Sequence, residues 1–433
     1  MPTSSPIGSA PLQGILVDLL NPTAEEIAQV AAGGAVNRKA LVLGCICAVL
    51  AGNCPADGAP PVTVSDAGFS FNLVRQLAQD RPAASISISP YSAAAALEMV
   101  SNGAVGRTQA EMQQVLGTTG LSSANVNAAH KNIATALKSA NNRVVLETAD
   151  AIWYRSGIQI RPEFLAVNQE FYDATVEALD FSDPHAVDVI NDWASDKTHG
   201  KITRLADKMI DPGNARLFLA DAVYFKGKWS HPFESKDTKQ RPFYLRSGDQ
   251  KQVPMMAQTR SFGYLEEPDY QAVRLPYAGE NLAMYVFLPV RDSSLPDLVG
   301  RLTGDTWERM RRQFRSADGS VVIPKFKIES DIELKRPLQA LGMRLAFDAS
   351  RADFSGIAPH LHISAAIQKT FVDVNEEGTE AAAVTGIAVT TTALRLPSRP
   401  FEMVVDRPFL FLIEDRPTQA ILFVGLVFDP KGG

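Results

Sequence analysis

The histidines are the first residues to consider for chemistry, because an imidazole can act as a general base or bind a metal ion. The chain has six of them, His130, His185, His199, His231, His360 and His362. None forms a His-Glu-x-x-His pair, and the chain has neither a Gly-x-Ser-x-Gly elbow nor a glycine-rich phosphate loop. The sequence therefore predicts no enzyme and no cofactor.

The pair His360 and His362 is the one fragment of a metal site. Alternate residues of a strand lie on the same face, so two imidazoles could point to one ion. No third ligand is evident in the sequence, and we interpret both as surface histidines. No metal is predicted.

The stretch from Glu376 to Thr392 is a strand-like sequence where a loop is expected. After Glu380 it has no charge for twelve residues and no proline, and Val, Ile and Thr fill its second half. Every second residue from Thr379 onward is small or β-branched, so one face suits burial in a sheet. The residues that follow include Pro397 and Pro400 and cannot continue a ladder. This combination is what a strand-insertion switch requires.

The elements that would hold such a segment are helices first and strands later. Apolar residues recur three and four apart from Phe69 to about Gly117 and from Asn125 to Ser139, which predicts helices, and residues 188–198 indicate another. Strand signals cover residues 144–154, 217–225, 282–288, 319–328, 363–374, 409–413 and 420–427. Strands and helices mixed without regular βαβ alternation predict an α+β fold.

Composition excludes several classes of partner. Hydrophobic residues make up 45% and charged residues 21% of the 433 residues, which is typical of a globular protein. The formal net charge of −6 argues against a nucleic acid or an anionic membrane as the main partner. Residues 126–142 hold only His130, Lys131 and Lys138 as basic groups, so no strong polyanion site is expected there.

The amino-terminal segment resembles an export signal. Arg38 and Lys39 precede an apolar run from Ala40 to Ala51, and small residues and a proline-rich linker follow to residue 61. Twelve apolar residues are too few to span a bilayer, so no membrane span is expected; a buried helix is the alternative interpretation. We predict a secreted protein, or one of the periplasm or cell envelope. Residues 1–37 stay unassigned, as either untranslated or disordered.

The three cysteines all lie in this segment: Cys45, Cys47 and Cys54. None lies in the body of the chain, so the fold has no disulfide framework, and their spacing is not that of a zinc site. Lipid anchoring of the exported chain stays open.

Short motifs follow one another through the body of the chain: Ile88-Ser-Pro-Tyr-Ser92, Asn102-Gly-Ala104, Tyr224-Phe-Lys-Gly-Lys-Trp229, Val253-Pro-Met-Met256, Phe371-Val-Asp-Val-Asn-Glu-Glu-Gly378, Asp406-Arg-Pro-Phe409 and Phe423-Val-Gly425. In this order, and with the strand-like loop, they resemble the serpins, the serine-protease inhibitors, over roughly residues 65 to 430. The resemblance implies one serpin domain over 62–431 with three β-sheets, eight or nine helices and an exposed reactive-centre loop. It also implies a prokaryotic-type inhibitor that is not an enzyme.

The resemblance assigns site residues at three places. The hinge of the loop is Glu376, Glu377, Gly378, Thr379, Glu380, Ala381, Ala382 and Ala383. At the end of the main sheet, the family's breach, lie Trp229, Lys325 and Glu376, the last two as an exposed ion pair worth ~0–1 kcal/mol. At its centre, the family's shutter, lie Ser89, Ser92, Asp221 and Gln368. The family usually has asparagine and histidine where this chain has Asp221 and Gln368, and a buried aspartate is costly unless its hydrogen bonds are satisfied.

The resemblance also implies the reactive bond, because in typical inhibitory serpins the attacked residue is the seventeenth from the first hinge glutamate. Counted from Glu376 this is Thr392, followed by Ala393, which favours an elastase-like or subtilisin-like serine protease as the partner. Leu394, for a chymotrypsin-like target, and Arg395, for a trypsin-like one, are the alternatives. A non-inhibitory serpin that binds, carries or chaperones is the alternative function. We expect a monomer, in which the β-prone loop also allows loop–sheet polymerisation.

Overall fold

The computed structural model describes residues 61–139, 144–207, 212–379 and 400–431. This part of the chain contains nine α-helices: α1 (Pro61–Asp80), α2 (Pro90–Ser101), α3 (Gly106–Leu116), α4 (Ser123–Ser139), α5 (Pro162–Tyr172), α6 (Ala186–Lys197), α7 (Leu295–Arg301), α8 (Gly304–Gln313) and α9 (Lys335–Leu341). Ser235–Asp237 and Leu345–Phe347 form single 3₁₀ turns.

The same residues contain fifteen strands: β1 (Ile86–Ile88), β2 (Val144–Arg155), β3 (Thr175–Leu179), β4 (Leu217–Lys228), β5 (Lys239–Tyr244), β6 (Gln250–Glu267), β7 (Tyr270–Pro276), β8 (Leu282–Pro289), β9 (Arg315–Pro324), β10 (Phe326–Glu333), β11 (Ile363–Asn375), β12 (Gly378–Thr379), β13 (Phe401–Val404), β14 (Phe409–Asp415) and β15 (Ala420–Val427). They form two hydrogen-bonded sheets. Mixed helices and sheets confirm the α+β prediction.

The main sheet, as we call the six-stranded one, has the order β10-β11-β12-β4-β2-β3. β11 and β4 are parallel and pair directly from Ile363 opposite Leu217 to Phe371 opposite Tyr224. Beyond Phe371 the two-residue strand β12 lies between them and pairs with both. The main sheet is therefore closed along most of its length and holds an extra strand at one end.

The second sheet has nine strands in the order β1-β15-β14-β8-β7-β6-β9-β13, with β5 paired to β6. Its long strand β6 pairs with β5 over residues 250–255, with β9 over residues 255–264 and with β7 over residues 263–267. Because β6 pairs with strands on both sides, two groups of strands are joined into one nine-stranded sheet. These two groups correspond to the second and third of the three sheets that the resemblance implied.

Helix α2 lies behind the main sheet and is almost completely buried. Ser89 caps its amino terminus by accepting a hydrogen bond from the Ser92 amide, and Pro90 occupies the first turn, where a missing N–H costs nothing. Four successive alanines, residues 93–96, let the helix approach the strands closely. On the other face of the sheet, Ala186, Ile190 and Ala194 of α6 pack against β2, β4 and β11. The main sheet is therefore covered on both faces.

The predicted strand over residues 319–328 is two strands in different sheets. Ile323 pairs with Met256 of β6, whereas Phe326 pairs with Val374 of β11, and Lys325 stands between the two ladders. An apolar run alone does not reveal this change of partner. The other predicted strands and helices are present in the described residues.

Candidate functional site

The first part of the hinge lies inside the main sheet. After β11 the chain turns at Glu376 and Glu377, and β12 runs back antiparallel between Val374 of β11 and Gly227 of β4. The carbonyl oxygens of the two turn residues accept hydrogen bonds from the amides of Phe233 and Trp229, at 2.8 and 2.9 Å. The turn is thus fixed at both of its residues.

The two residues of β12 fit a narrow slot. Gly378 has a φ of +156°, and a Cβ there would lie 2.0 Å from the Gly227 carbonyl oxygen, so only glycine fits. Thr379 is completely buried, and its hydroxyl lies 2.8 Å from the phenol oxygen of Tyr277. Gly227 leaves the room for Tyr277, because a Cβ on Gly227 would lie 2.8 Å from the phenol ring. The slot therefore accepts small, neutral side chains.

Trp229 forms one wall of this end of the sheet. Its ring stacks on Tyr277 with centroids 4.6 Å apart, and its indole N–H donates to the Asn375 carbonyl oxygen at 3.0 Å. The side chain is buried and contacts the turn from β11 into β12. The structure thus places the predicted breach tryptophan beside the hinge. Tyr277 was not predicted, because it lies 102 residues from Thr379 in the chain.

Lys325 and Glu376 form the predicted ion pair, with Nζ 3.0 Å from Oε2. The sequence-based expectation of an exposed pair is wrong: the side chains are only 23% and 13% exposed. Thr238, which was not predicted, donates to Oε1 of Glu376 at 2.9 Å. Burial opposes ionisation of Glu376, but hydrogen bonds from its own amide, Lys325 and Thr238 outweigh it and hold the pKa of this carboxyl below its usual range.

The four predicted shutter residues meet at the centre of the main sheet, and all are buried. The Ser92 hydroxyl donates to Oδ1 of Asp221 at 2.7 Å, and the Gln368 amide nitrogen donates to Oδ2 at 2.5 Å. Gln368 also exchanges two hydrogen bonds with the backbone of Ser89, both at 2.8 Å. This network links α2, β4 and β11, so β4 and β11 cannot separate without breaking it.

A second carboxyl group, on Asp150 of β2, lies directly opposite Asp221 in the antiparallel register. Burial, and to a lesser degree the charge of Asp221, raises the pKa of Asp150 well above its usual range. Burial also raises the pKa of Asp221 to about 7, against the hydrogen bonds of Gln368 and Ser92, which lower it. Asp150 was not predicted, but the sequence carries a signal: Ala-Asp-Ala occurs in both strands, at 149–151 and 220–222.

Several predicted residues lie outside the described ones. These are the later hinge residues and the candidate reactive bonds, namely Glu380, Ala381, Ala382, Ala383, Thr392, Ala393, Leu394 and Arg395. The export-signal segment before residue 61 and its three cysteines also lie outside them. The predictions for these residues remain predictions.

Among the described residues, no three His, Cys, Asp or Glu side chains lie closely enough together to hold a metal ion. The ring of His362 lies 3.2 Å from the Ser364 hydroxyl. No helix among the described residues is both long and apolar enough to cross a bilayer.

Comparisons with known proteins agree with this geometry. The family model for serpin (serine protease inhibitor) matches residues 65–430. Glia-derived nexin from Rattus norvegicus is 35% identical over 379 residues, which cover 84% of this chain and 92% of the nexin. Leukocyte elastase inhibitor from Bos taurus is 36% identical over 385 residues, which cover 85% of this chain and 99% of that inhibitor.

Solved structures agree as well. The thermophilic serpin tengpin in its native state matches with a TM-score of 0.78 and 29% identity, over 85% of this chain and 94% of tengpin. Human thyroxine-binding globulin matches with a TM-score of 0.79 and 27% identity, over 86% of this chain and 99% of the globulin. The predicted serpin fold is therefore confirmed, and the chain belongs to the serpin family.

Proposed function

We propose that the chain inhibits serine-type endopeptidases by a suicide mechanism. The serine hydroxyl of the target attacks the Thr392 carbonyl carbon, an ester forms, and the amino group of Ala393 leaves with the proton. The freed strand from Thr379 onward inserts between β11 and β4 and carries the ester-linked protease with it. The protease active site is distorted, and hydrolysis of the ester stalls.

The position of β12 carries this proposal. Gly378 and Thr379 already occupy the line between β11 and β4 along which the rest of the segment would follow. Below them β11 and β4 run parallel, so an inserted strand pairs antiparallel with both neighbours, as β12 does. The next residues in the chain are Glu380 and the three alanines 381–383, of which the alanines are small and neutral.

The energy of such an insertion is sufficient for inhibition. About ten new ladder hydrogen bonds at ~1 kcal/mol each give a driving force on the order of ten kcal/mol before apolar burial is added. A displacement of roughly 1 Å in a catalytic site can slow a reaction about 100-fold. Insertion can therefore hold the covalent complex for long times.

Elastase-like or subtilisin-like proteases are the proposed targets, because Thr392 suits a small or medium apolar pocket. Cleavage after Leu394 would instead favour a chymotrypsin-like target, and cleavage after Arg395 a trypsin-like one. The relative from Bos taurus is named an inhibitor of leukocyte elastase, which supports the first choice.

A non-inhibitory carrier is the second candidate. The match to thyroxine-binding globulin supports it, because a serpin-fold protein of that name binds a small ligand. The small, uncharged hinge residues Thr379 and Ala381 to Ala383 favour the inhibitor, since a carrier does not need a loop that fits the slot beside Tyr277.

The test is incubation of the purified protein with one elastase-like, one chymotrypsin-like and one trypsin-like protease. We expect a protease complex that survives boiling in denaturing detergent. We also expect a released carboxy-terminal peptide whose mass shows that it begins at Ala393. Cleavage in the loop without any stable complex, in all three incubations, would contradict inhibition and support the carrier.

A further inference from the structure

Two identical tripeptides bring two carboxyl groups together in the main sheet. Ala149-Asp150-Ala151 lies in β2 and Ala220-Asp221-Ala222 in β4, and Asp150 is the register partner of Asp221. Directly opposed residues of an antiparallel pair have Cβ atoms roughly 5 Å apart on the same face. Two like charges at this distance inside a protein repel strongly, so the pair favours a state that holds a proton.

Hydrogen bonds are distributed unequally between the two groups. Both carboxylate oxygens of Asp221 accept side-chain hydrogen bonds, from Ser92 and Gln368. Oδ1 of Asp150 is shielded from water and has no hydrogen-bond partner in the part of the chain that the structure describes. Neither group has an ion-pair partner among those residues. No cationic side chain among the described residues therefore neutralises the charge of the pair, and a bound proton is the remaining way to reduce it.

The neighbouring elements add few charges to this face. Helix α2 contributes Ser92 and Glu98, and Glu98 is paired with His130 of α4. The ring of His130 also lies near the phenols of Tyr91 and Tyr172. From β11 come Gln368 and Thr370, the latter bonded to Ser87.

Lys369, which follows Gln368 in the chain, lies on the other face of the main sheet. Lys369 lies opposite Ala222, which packs in the cluster that includes α6, and its ammonium donates to the Arg204 carbonyl oxygen. Its partner across β10 is Asp331. The carboxyl pair is thus set apart from the lysine and the aspartate on that side.

We propose that the Asp150–Asp221 pair is a proton-operated brake on opening of the main sheet: the bound proton holds the sheet closed, and its loss primes β4 and β11 to separate. This regulation rests on the proposed insertion mechanism. It belongs to this chain in particular, because an asparagine at position 221 would not titrate.

The direction follows from proton linkage. In the closed sheet both pKa values lie above their usual range, because Asp221 is buried and the Oδ1 atom of Asp150 is shielded from water. Opening admits water and returns them toward the ordinary acidic range, so the open state binds fewer protons at neutral pH. Stabilisation of the closed state is complete below pH ~4 and is lost as the pH rises to about 7. Acid therefore keeps the sheet closed, and neutral or alkaline pH releases it.

The experiment is uptake of a synthetic peptide of residues 379–392 by the intact full-length protein, followed on native gels at pH 5.5 and pH 8. Each pKa unit of difference between the closed and open states is worth a factor of about ten. We expect uptake to be at least about tenfold faster at pH 8 for the natural chain. In the double variant Asp150→Asn with Asp221→Asn, the two rates should agree within about twofold. Asp221→Asn alone keeps the Asp150 carboxyl, whose pKa is raised mainly by burial, and should show a smaller pH effect than the natural chain.

The control is Glu414→Gln. Burial raises the pKa of Glu414 to about 7 as well, but this carboxyl lies in β14 of the other sheet and binds Tyr285 and Trp307. This variant should keep the pH dependence of peptide uptake. If the double variant does not fold, Asp150→Asn alone should reduce the pH effect by at least half, because it leaves only one titrating carboxyl in the pair.

Two outcomes overturn the brake. Equal uptake at both pH values by the natural chain is one. An unchanged pH effect in the double asparagine variant is the other, and it would assign the effect to groups outside the Asp150–Asp221 pair. Both leave the inhibitor proposal standing as long as peptide is taken up. No uptake at either pH, together with no protease complex, would reject insertion itself and the brake with it.

Discussion

Two regions of the boundary between β11 and β4 are built differently: the hinge end and the centre of the main sheet. At the hinge end β11 and β4 are already apart, and β12 sits between them against the rings of Trp229 and Tyr277. At the centre the same two strands pair directly, and Gln368 ties Asp221 to Ser89. A strand therefore already lies between β11 and β4 at the hinge end, whereas direct pairing and side-chain hydrogen bonds close the centre.

The difference lies in what separation would cost. If the hinge end opens further, contacts between small neutral groups are lost and similar contacts with the entering strand replace them. Opening the centre breaks the Gln368–Asp221 hydrogen bond and, in addition, the hydrogen bonds that join α2 to one of the two strands, and it leaves buried polar atoms without partners. Each buried polar group left unsatisfied costs about 1–3 kcal/mol. The barrier to opening should therefore lie at the centre, and the hinge should control whether a strand can enter at all.

Thr379→Arg should have the largest effect, because it closes the entrance. The side chain of Thr379 is completely buried beside Tyr277, and burying an unpaired charge costs several kcal/mol. We expect the yield of detergent-stable protease complex to fall about 100-fold, since each ~1.4 kcal/mol is a factor of ten. The loop should still be cleaved, so the variant becomes a substrate.

Thr379→Ser is the matched control, because it keeps the hydroxyl near Tyr277 and the small volume. It should form complex as the natural chain does. A stable complex with the arginine variant would mean that the hinge does not need to enter the slot.

Gln368→Ala should have the second-largest effect, because it removes the link between β4 and β11. The variant leaves Asp221 with one side-chain donor and exposes no compensating group, so we expect a loss of about 2 kcal/mol of stability. It should also inactivate spontaneously within hours at 37 °C, as the loop enters the sheet uncut. The measurements are the thermal midpoint and residual inhibition over time.

Gln313→Ala, at an exposed position of α8, is the comparison for this change. It should leave both measurements unaltered. An equally stable, equally long-lived Gln368→Ala variant would place the barrier elsewhere than the centre.

The Lys325–Glu376 pair should have the smallest effect. It is partly exposed, so we expect a coupling of about 1 kcal/mol from a double-mutant cycle of Lys325→Met and Glu376→Gln. The low pKa of Glu376 means that the ionised pair stabilises the fold above the usual carboxyl pKa and is lost as the pH falls through the lowered value. A coupling as large as the loss in Gln368→Ala would erase the distinction between the two regions.

Motifs in the sequence predicted the residues of both regions and the Lys325–Glu376 ion pair, but not the other contacts. Ser89, Ser92, Asp221 and Gln368 were found from their order along the chain, and they do meet. That β12 is already in the sheet was not predictable, because its slot is made by Tyr277, whose role depends on tertiary packing.

The register of paired strands and the choice of strand partners also could not be predicted from the sequence. The opposition of Asp150 and Asp221 depends on how β2 aligns with β4, which no local pattern encodes. The long strand β6 was missed because its burial does not alternate regularly and because Pro254 lies inside it, which the rules for strands disfavour. Lys325 was expected at the surface because the change of sheet between β9 and β10 was not visible.

The most direct test of the account is the thermal midpoint before and after a single cut in the loop between residues 380 and 399, with the fragments kept together. If the closed sheet is a trapped state, the cut strand inserts and adds on the order of ten kcal/mol. We predict that the midpoint rises by roughly 10 °C or more. An unchanged midpoint would show that the cut strand stays outside, and would contradict inhibition by insertion.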